Sequence, residues 1–435
     1  MSRPTLHRYC SPLRVPSLLL GCALALSPVA CKRTPPSTPP QARDPGAERI
    51  RADVRLLADD AMQGRETGTP GFERAADAVA ARFRALGLRP AGDDGTFSQK
   101  VPLLKATRIA DDARLDVVRA DRTIHLRYRD QYLPEPNFDA VDSRVRAPAV
   151  FVGQGVLAPD LQHDDFAGLD VRGKIAVVLG GAPPTADNDR RAVLGSEPDK
   201  LRTLVERGAV GVVFVNTAED EMQVPWSQRA ARWNRAAMRL RDADGHAIDA
   251  HPSLRIVVRV SAAAADLLFD GSGHTAAELA NAARQGGVHG FDLPLTLSLA
   301  ARTQVEPIDS RNILAALPGR DPALAGQYVL TSAHLDHLGI ASATDPGATP
   351  TDRIYNGALD NALGVGIVLE TARQLHDARP APRRPVLFAA LTGEEQGLLG
   401  AQWLALHPPG ALVADINLDM PMLLAPTRDI VPIGA

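Results

Sequence analysis

The chain has 435 residues, 45% of them hydrophobic and 23% charged, which is an ordinary globular composition long enough for roughly two or three domains. Its formal net charge is -3 and no Lys/Arg-rich run marks a basic face, which argues against a nucleic-acid partner. All three cysteines, Cys10, Cys22 and Cys31, lie near the N-terminus, so the rest of the chain has no disulfide and no cysteine metal ligand. Any metal held there takes His, Asp and Glu, which suits zinc or manganese at a hydrolytic site.

In chain order, residues 1–31 read as an export signal: Arg3, His7, Arg8 and Arg14 precede an apolar run from Val15 to Ala30. That run is short of the about 20 apolar residues of a spanning helix. Leu19-Leu20-Gly21-Cys22 matches a lipoprotein box, but Cys31 follows the true end of the apolar run, so Cys31 is the preferred lipid-attachment site. A plain secretory signal is the alternative. Either way the mature protein is expected outside the cytoplasm, in the periplasm or cell envelope, touching the membrane only through such an anchor. Residues 32–45 form a Pro-rich tether.

Residues 46–139 open with two amphipathic helices, about 46–62 and 71–86, separated by the turn-rich Gly64-Arg65-Glu66-Thr67-Gly68 loop, with Gly87 as a stop. Residues 96–120 look like strand. From 140 to 262 a compact α/β unit is expected, with strands at Ala149–Gly153, Lys174–Leu179, Gly211–Asn216 and Leu254–Val260 and a helix at Leu201–Arg207. Residues 263–309 lead back through helices and a strand. From about 310, strands at Ile313–Leu317, Tyr328–Ala333, Val386–Leu391 and Val413–Leu418 alternate with helices at about 362–377 and 395–406. This pattern predicts a doubly wound, mostly parallel α/β sheet with helices on both faces.

Four motifs end strands or open helices in this last part. Ser332-Ala333-His334-Leu335-Asp336-His337 delivers His334 to the carboxyl edge of the sheet, where open α/β folds bind ligands. The Asp336 carboxylate is placed to accept the second imidazole N–H and fix its tautomer. Asn356-Gly357-Ala358-Leu359-Asp360-Asn361 is a small-residue loop whose one carboxylate, Asp360, is either a ligand or a helix N-cap. Thr392-Gly393-Glu394-Glu395 places two glutamates after a buried strand, one to bind metal and one to face substrate, or both as a charged first helical turn. Asn417-Leu418-Asp419-Met420 ends the last strand on Asp419, a ligand or a turn-initiating residue. Each is weak alone. Together, a histidine and several carboxylates converge on one edge.

Here the chain resembles the zinc aminopeptidase family of co-catalytic di-zinc exopeptidases, whose relatives include glutamate carboxypeptidases and glutaminyl cyclases. The AHLDH, GALDNALG, TGEEQGLLG and NLDM segments match its metal motifs in order, and 140–262 resembles its protease-associated insert. The resemblance implies two divalent ions, zinc being expected. His334 and Asp419 would hold one, Glu395 the other, and Asp360 both. Glu394 would be the general base acting on a water between the ions, with Asp336 in support. Peptides would be the substrates, and a free α-amine reaching one ion would direct cleavage to N-terminal residues. A carboxypeptidase or dipeptidase on the same scaffold, or a non-catalytic envelope binding protein, are the alternatives.

One departure from the family bears on activity. Its second histidine ligand lies downstream of the NLDM segment, and no histidine follows His407 here. His407 is expected to be a surface helix-end residue, and His337, though nearer, is not at the missing motif position. The second site is therefore expected to keep only Asp360 and Glu395. With further strands of the sheet also missing after Thr427–Gly434, the expectation is a truncated copy of low activity with an uncovered sheet edge.

Overall fold

Two helices open the folded part. Helix α1 spans Pro45–Leu57 and α2 spans Pro70–Ala85. Thr69 accepts the Phe72 N–H, and Pro70 fills the first helical turn, where its missing N–H costs nothing. Gly87, at φ +71, turns the chain away at the other end. These elements belong to a computed structural model that describes residues 44–342, 345, 349 and 351–421, the side chain of Asp111 aside. The export segment with Cys22 and Cys31, most of the tether and Thr427–Gly434 lie outside the described residues.

The main strands are β1 (Ser98–Val118), β2 (Asp142–Phe151), β3 (Ile175–Leu179), β4 (Gly211–Val215), β5 (Ile256–Val260), β6 (Phe291–Leu317), β7 (Gln327–His334), β8 (Val386–Leu391) and β9 (Ala411–Asn417). Further helices are α3 (Glu197–Glu206), α4 (Ala276–Arg284), α5 (Leu363–Asp377) and α6 (Leu399–Leu406). One sheet runs β9-β7-β8-β6-β2-β3-β4-β5 and ends on Tyr132–Pro134. Strands β9, β7 and β8 pair in parallel, as do β2 to β5. Strand β6 lies antiparallel between the two arms and forms a long ribbon with β1.

Burial follows the residue pattern. Strands β3, β4 and β8 are buried at every position, as contiguous apolar runs covered on both faces must be. Strand β6 alternates from Leu293 to Thr303, where one face is covered, and is continuously buried from 312 to 317, where it enters the two-sided arm. Over that arm, Phe72 and Phe83 of α2 and Val365 and Leu369 of α5 pack on Ile313 and Phe388. Leu404 of α6 covers Leu314, Leu330 and Leu387 on the opposite face. The other arm repeats the scheme, with Leu204 of α3 on Val178 and Phe214, and Leu279 and Ala283 of α4 on the side of Phe151 and Val213. Each such Val, Leu, Ile or Phe side chain contributes about 1.5–3 kcal/mol by leaving water.

The α/β architecture with helices on both faces is thus the expected one. Three elements differ from expectation. Helix α1 ends at Leu57, short of the expected 62, and a separate 3-10 turn follows at Asp60–Arg65. The β1/β6 ribbon was read as separate strand-like stretches. Helix α6 begins at Leu399 and not near 395, because Gly393, Gly397 and Leu398 all take positive φ and hold 393–398 as a loop.

Candidate functional site

The three parallel strands β7, β8 and β9 end side by side, and their carboxyl ends carry His334, the Thr392–Glu395 loop and Asp419. The loop before α5 brings Asp360 to the same place. His334 Nε2 lies 3.1 Å from Asp360 Oδ1, 3.3 Å from Asp419 Oδ1 and 4.0 Å from Glu394 Oε2. His334, Asp360 and Asp419 therefore offer one nitrogen and two oxygens within 4.8 Å of one another. A second group of the same span joins His337, Asp360 and Glu395. His337 Nδ1 is 2.7 Å from Glu395 Oε1 and 3.8 Å from Asp360 Oδ2.

Local structure explains why these carboxylates are available. Asp360 is not the helix cap: the neighbouring Asn361 Oδ1 accepts the Gly364 N–H instead. Asn361 Nδ2 also donates to the Leu418 carbonyl at 2.7 Å, tying the Asp360 loop to the strand end that bears Asp419. Glu394 and Glu395 are not a first helical turn, since α6 starts later. Thr67 Oγ1 accepts the Gly393 N–H and Asn312 Oδ1 the Thr392 N–H, which fixes the start of their loop.

Asp336 departs from its expected role. Its carboxylate is 3.9 Å from His334 Nδ1, while its backbone carbonyl accepts the Nδ1–H at 3.1 Å. The imidazole tautomer is thus set by a main-chain oxygen. The carboxylate, only 1% exposed, turns the other way and accepts the N–H groups of Glu394 at 3.1 Å and Glu395 at 3.3 Å. Asp336 acts as a brace for the glutamate loop.

Charge crowding marks the site. Burial raises the affinity of Asp336, Asp360 and Glu394 for a proton, and for Asp360 and Glu394 neighbouring carboxylates add to it. Burial pulls His334 toward the neutral form, but Asp336, Glu394, Asp419 and Asp360 together outweigh it and raise its pKa. Glu395 moves the opposite way: burial opposes, but the hydrogen bond and charge of His337 lower it. A divalent cation relieves this kind of crowding, and the N/O donor set fits zinc.

Several residues around the site were not foreseen. Arg65, in the Gly64–Gly68 loop, is fully buried and donates to the carbonyls of Leu335, Leu57, Asn356 and Gly357. Burial lowers its pKa to about 10, against the pull of Asp336, Asp360 and Glu395. Its signal was an arginine flanked by turn residues, which specifies no partner. Arg235 reaches from the 140–262 stretch to the Leu338 carbonyl at 3.0 Å and to Asp345 at 2.7 Å, with its guanidinium 5.2 Å from the Tyr355 ring centre. His407 behaves as expected: its Nδ1–H donates to the Trp403 carbonyl at the end of α6.

Residues 312–431 match the model of peptidase family M28. A probable zinc metalloprotease of Pyrenophora tritici-repentis is 41% identical over 118 residues, 26% of this chain and 25% of that protein. The alkaline phosphatase isozyme conversion protein of Escherichia coli is 33% identical over 95 residues, 22% of this chain and 26% of its own. The chain thus spans about a quarter of the length of these curated relatives. Among solved structures, an aminopeptidase from Aneurinibacillus sp. strain AM-1 aligns over 86% of this chain and 70% of its own, with a TM-score of 0.47 and 19% identity. A peptidase M28 precursor from Shewanella amazonensis aligns over 83% and 69%, with a TM-score of 0.41 and 18% identity.

Proposed function

We infer, since this chain belongs to a zinc aminopeptidase-type family through its peptidase M28 segment at 312–431, that it is an exported zinc metallopeptidase removing N-terminal residues from peptides. The observation that carries this reading is the convergence of His334, Asp360 and Asp419 on one point, with Glu394 beside them. These three residues would hold zinc, and Asp360 and Glu395 would share a second divalent ion. When bound, the metal supplies polarisation of the scissile carbonyl and a lowered pKa for water.

The chain's own residues do the rest. The Glu394 carboxylate takes a proton from the attacking water and returns it to the leaving amine. Its carboxylate lies 4.0 Å from His334 Nε2, beside the proposed ion position and within reach of a water there. Asp336 holds the Glu394 and Glu395 N–H groups, so the base keeps its position through the proton transfers. Arg235 brings the 140–262 stretch against the loop after His337, which supports a role for that stretch in shaping substrate access. Export rests on the charged and apolar pattern of residues 1–31, with Cys31 or Cys22 as the lipid anchor.

The test uses the full chain with added zinc on leucine p-nitroanilide and its N-acetylated form. Turnover of the free amine alone, falling by about 10²–10⁴-fold in Glu394→Gln with zinc content unchanged, supports the reading. Release of C-terminal residues from peptides in its place moves the assignment to a carboxypeptidase. Zinc binding without any Glu394-dependent cleavage leaves a metal-binding protein that is no peptidase.

A further inference from the structure

The sequence motifs assign Asp360 and Glu395 to the second ion position. The structure sets a third group there. His337 Nδ1 faces Glu395 Oε1 at 2.7 Å and Asp360 Oδ2 at 3.8 Å, and the three donor atoms lie within 4.8 Å of one another. The two oxygens of Asp360 also divide their neighbours: Oδ1 faces His334 at 3.1 Å and Oδ2 faces His337. A carboxylate whose two oxygens face different imidazoles has the arrangement of a ligand shared by two cations about 3.5–4 Å apart.

From this we propose that His337 is itself a metal ligand, completing a second zinc site with Glu395 and the far oxygen of Asp360. The inference rests on the metallopeptidase reading for the presence of the ions, and goes beyond it in assigning the second imidazole. Donor distances of 2.7 and 3.8 Å bracket the spacing of ligands placed about 2.0–2.2 Å from a tetrahedral zinc. The placement of His337 is supported from behind. Its backbone N–H donates to the Arg65 carbonyl at 3.2 Å, and its ring meets Tyr355 edge to face at 6.5 Å. Only Leu335 and Asp336 separate it from His334, so one short loop supplies an imidazole to each position. The competing role is that of a positioning residue, in which His337 Nδ1–H donates to Glu395 and only the glutamate touches metal.

Metal content separates the two. The full chain is dialysed against zinc chloride, then against metal-free buffer, and its zinc is counted per chain in wild type, His337→Ala, Glu395→Gln and the double variant. Circular dichroism confirms that each is folded. Ligation by His337 gives two zinc ions in wild type and one in each of the three variants, the double losing no more than either single. With cobalt(II) in place of zinc, visible absorption from the second equivalent is lost in His337→Ala. Two tightly held ions in His337→Ala overturn the proposal and leave the peptidase reading standing. One ion in wild type, lost in Asp419→Asn but kept in His337→Ala, also overturns it and leaves a single-metal enzyme. No zinc in wild type overturns both. Should His337→Ala fail to fold, His337→Gln, which keeps a hydrogen-bonding side chain, takes its place under the same outcomes.

Discussion

Arg65 reaches 270 positions along the chain to donate from Nε to the Leu335 carbonyl at 2.8 Å, directly behind the loop that carries His334 and His337. Its other donors take the carbonyls of Leu57, Asn356 and Gly357, so one guanidinium joins the end of α1, the histidine loop and the Asp360 loop. Its charge lies among Asp336, Asp360 and Glu395, which compensate for its complete burial. Replacing it strands four carbonyls and removes the cation that offsets three acids. Arg65→Met is expected to destabilise the chain by about 3–5 kcal/mol. Arg65→Lys recovers little of this, because a point charge with three donors cannot span a planar fork of contacts. Urea unfolding of the three proteins checks the order. A lysine variant as stable as wild type would show that the fork geometry is unimportant.

Much of this candidate site is legible because the proposed ligands follow apolar runs or open helices. His334 closes a strand that is buried toward its end, as its apolar run implies, Asp419 follows an apolar strand that is exposed, and Asp360 and Glu395 sit in small-residue loops between a strand and a helix. What stayed hidden depends on side-chain direction or on distant partners. Nothing in His-Leu-Asp-His says that His334 turns to the Asp336 carbonyl while the carboxylate turns to Glu394. The partners of Arg65 come from three separate segments, so no local pattern encodes them. Glu394-Glu395 suits a first helical turn in sequence, but the positive φ at Gly393, Gly397 and Leu398 overrides it and delays the start of α6. The β1/β6 ribbon depends on a long-range register that short strand patterns do not carry.

Asp336 affords a test of indirect control over the metal. Its two oxygens each hold one N–H of the glutamate loop, so Asp336→Asn keeps one acceptor and presents a donor to the other N–H. The loop shifts at Glu394 or Glu395 without any loss of a ligand atom. Zinc affinity is expected to fall about 10–100-fold, the range for residues that orient ligands. Competition titration with a chromogenic chelator measures it, and an unchanged zinc affinity would remove Asp336 from the supporting shell.

Chelation tests whether the crowded acids are matched to a cation. With the metal removed, Asp360, Asp336 and Glu394 resist ionisation, burial being the largest cause for each. Saturating zinc at about 100 times its Kd adds about 2.7 kcal/mol to the folded state, read as a rise in Tm over the same protein in EDTA. Asp360→Asn takes away one charge of the cluster and one of the two oxygen donors that face the two groups. It is expected to keep or raise the Tm in EDTA while abolishing the rise with zinc. A rise of full size in Asp360→Asn would show that the stabilising zinc binds elsewhere.

A pH effect is expected far from the metal cluster, at Lys200 of α3. This side chain is 1% exposed, and its Nζ donates to the carbonyls of Gln154 and Gly181. Burial lowers its pKa from 10.5 to about 8, against the pull of Asp165 and Glu197. Below pH 8 the amine is charged in the folded and unfolded chain alike, and folding carries the full cost of burying that charge. Between pH 8 and 10.5 the folded chain releases the proton first and the unfolded chain binds more protons, so this group's contribution to stability rises with pH. Above 10.5 both forms are neutral and the gain is complete. Lys200→Met removes the titration while keeping the apolar stem. Wild type should therefore gain on Lys200→Met by on the order of 2–3 kcal/mol between pH 7 and pH 10, measured by urea unfolding at each pH. A stability difference that stays level across that interval would mean that Lys200 is charged at no special cost, with water or a closer acid at its head.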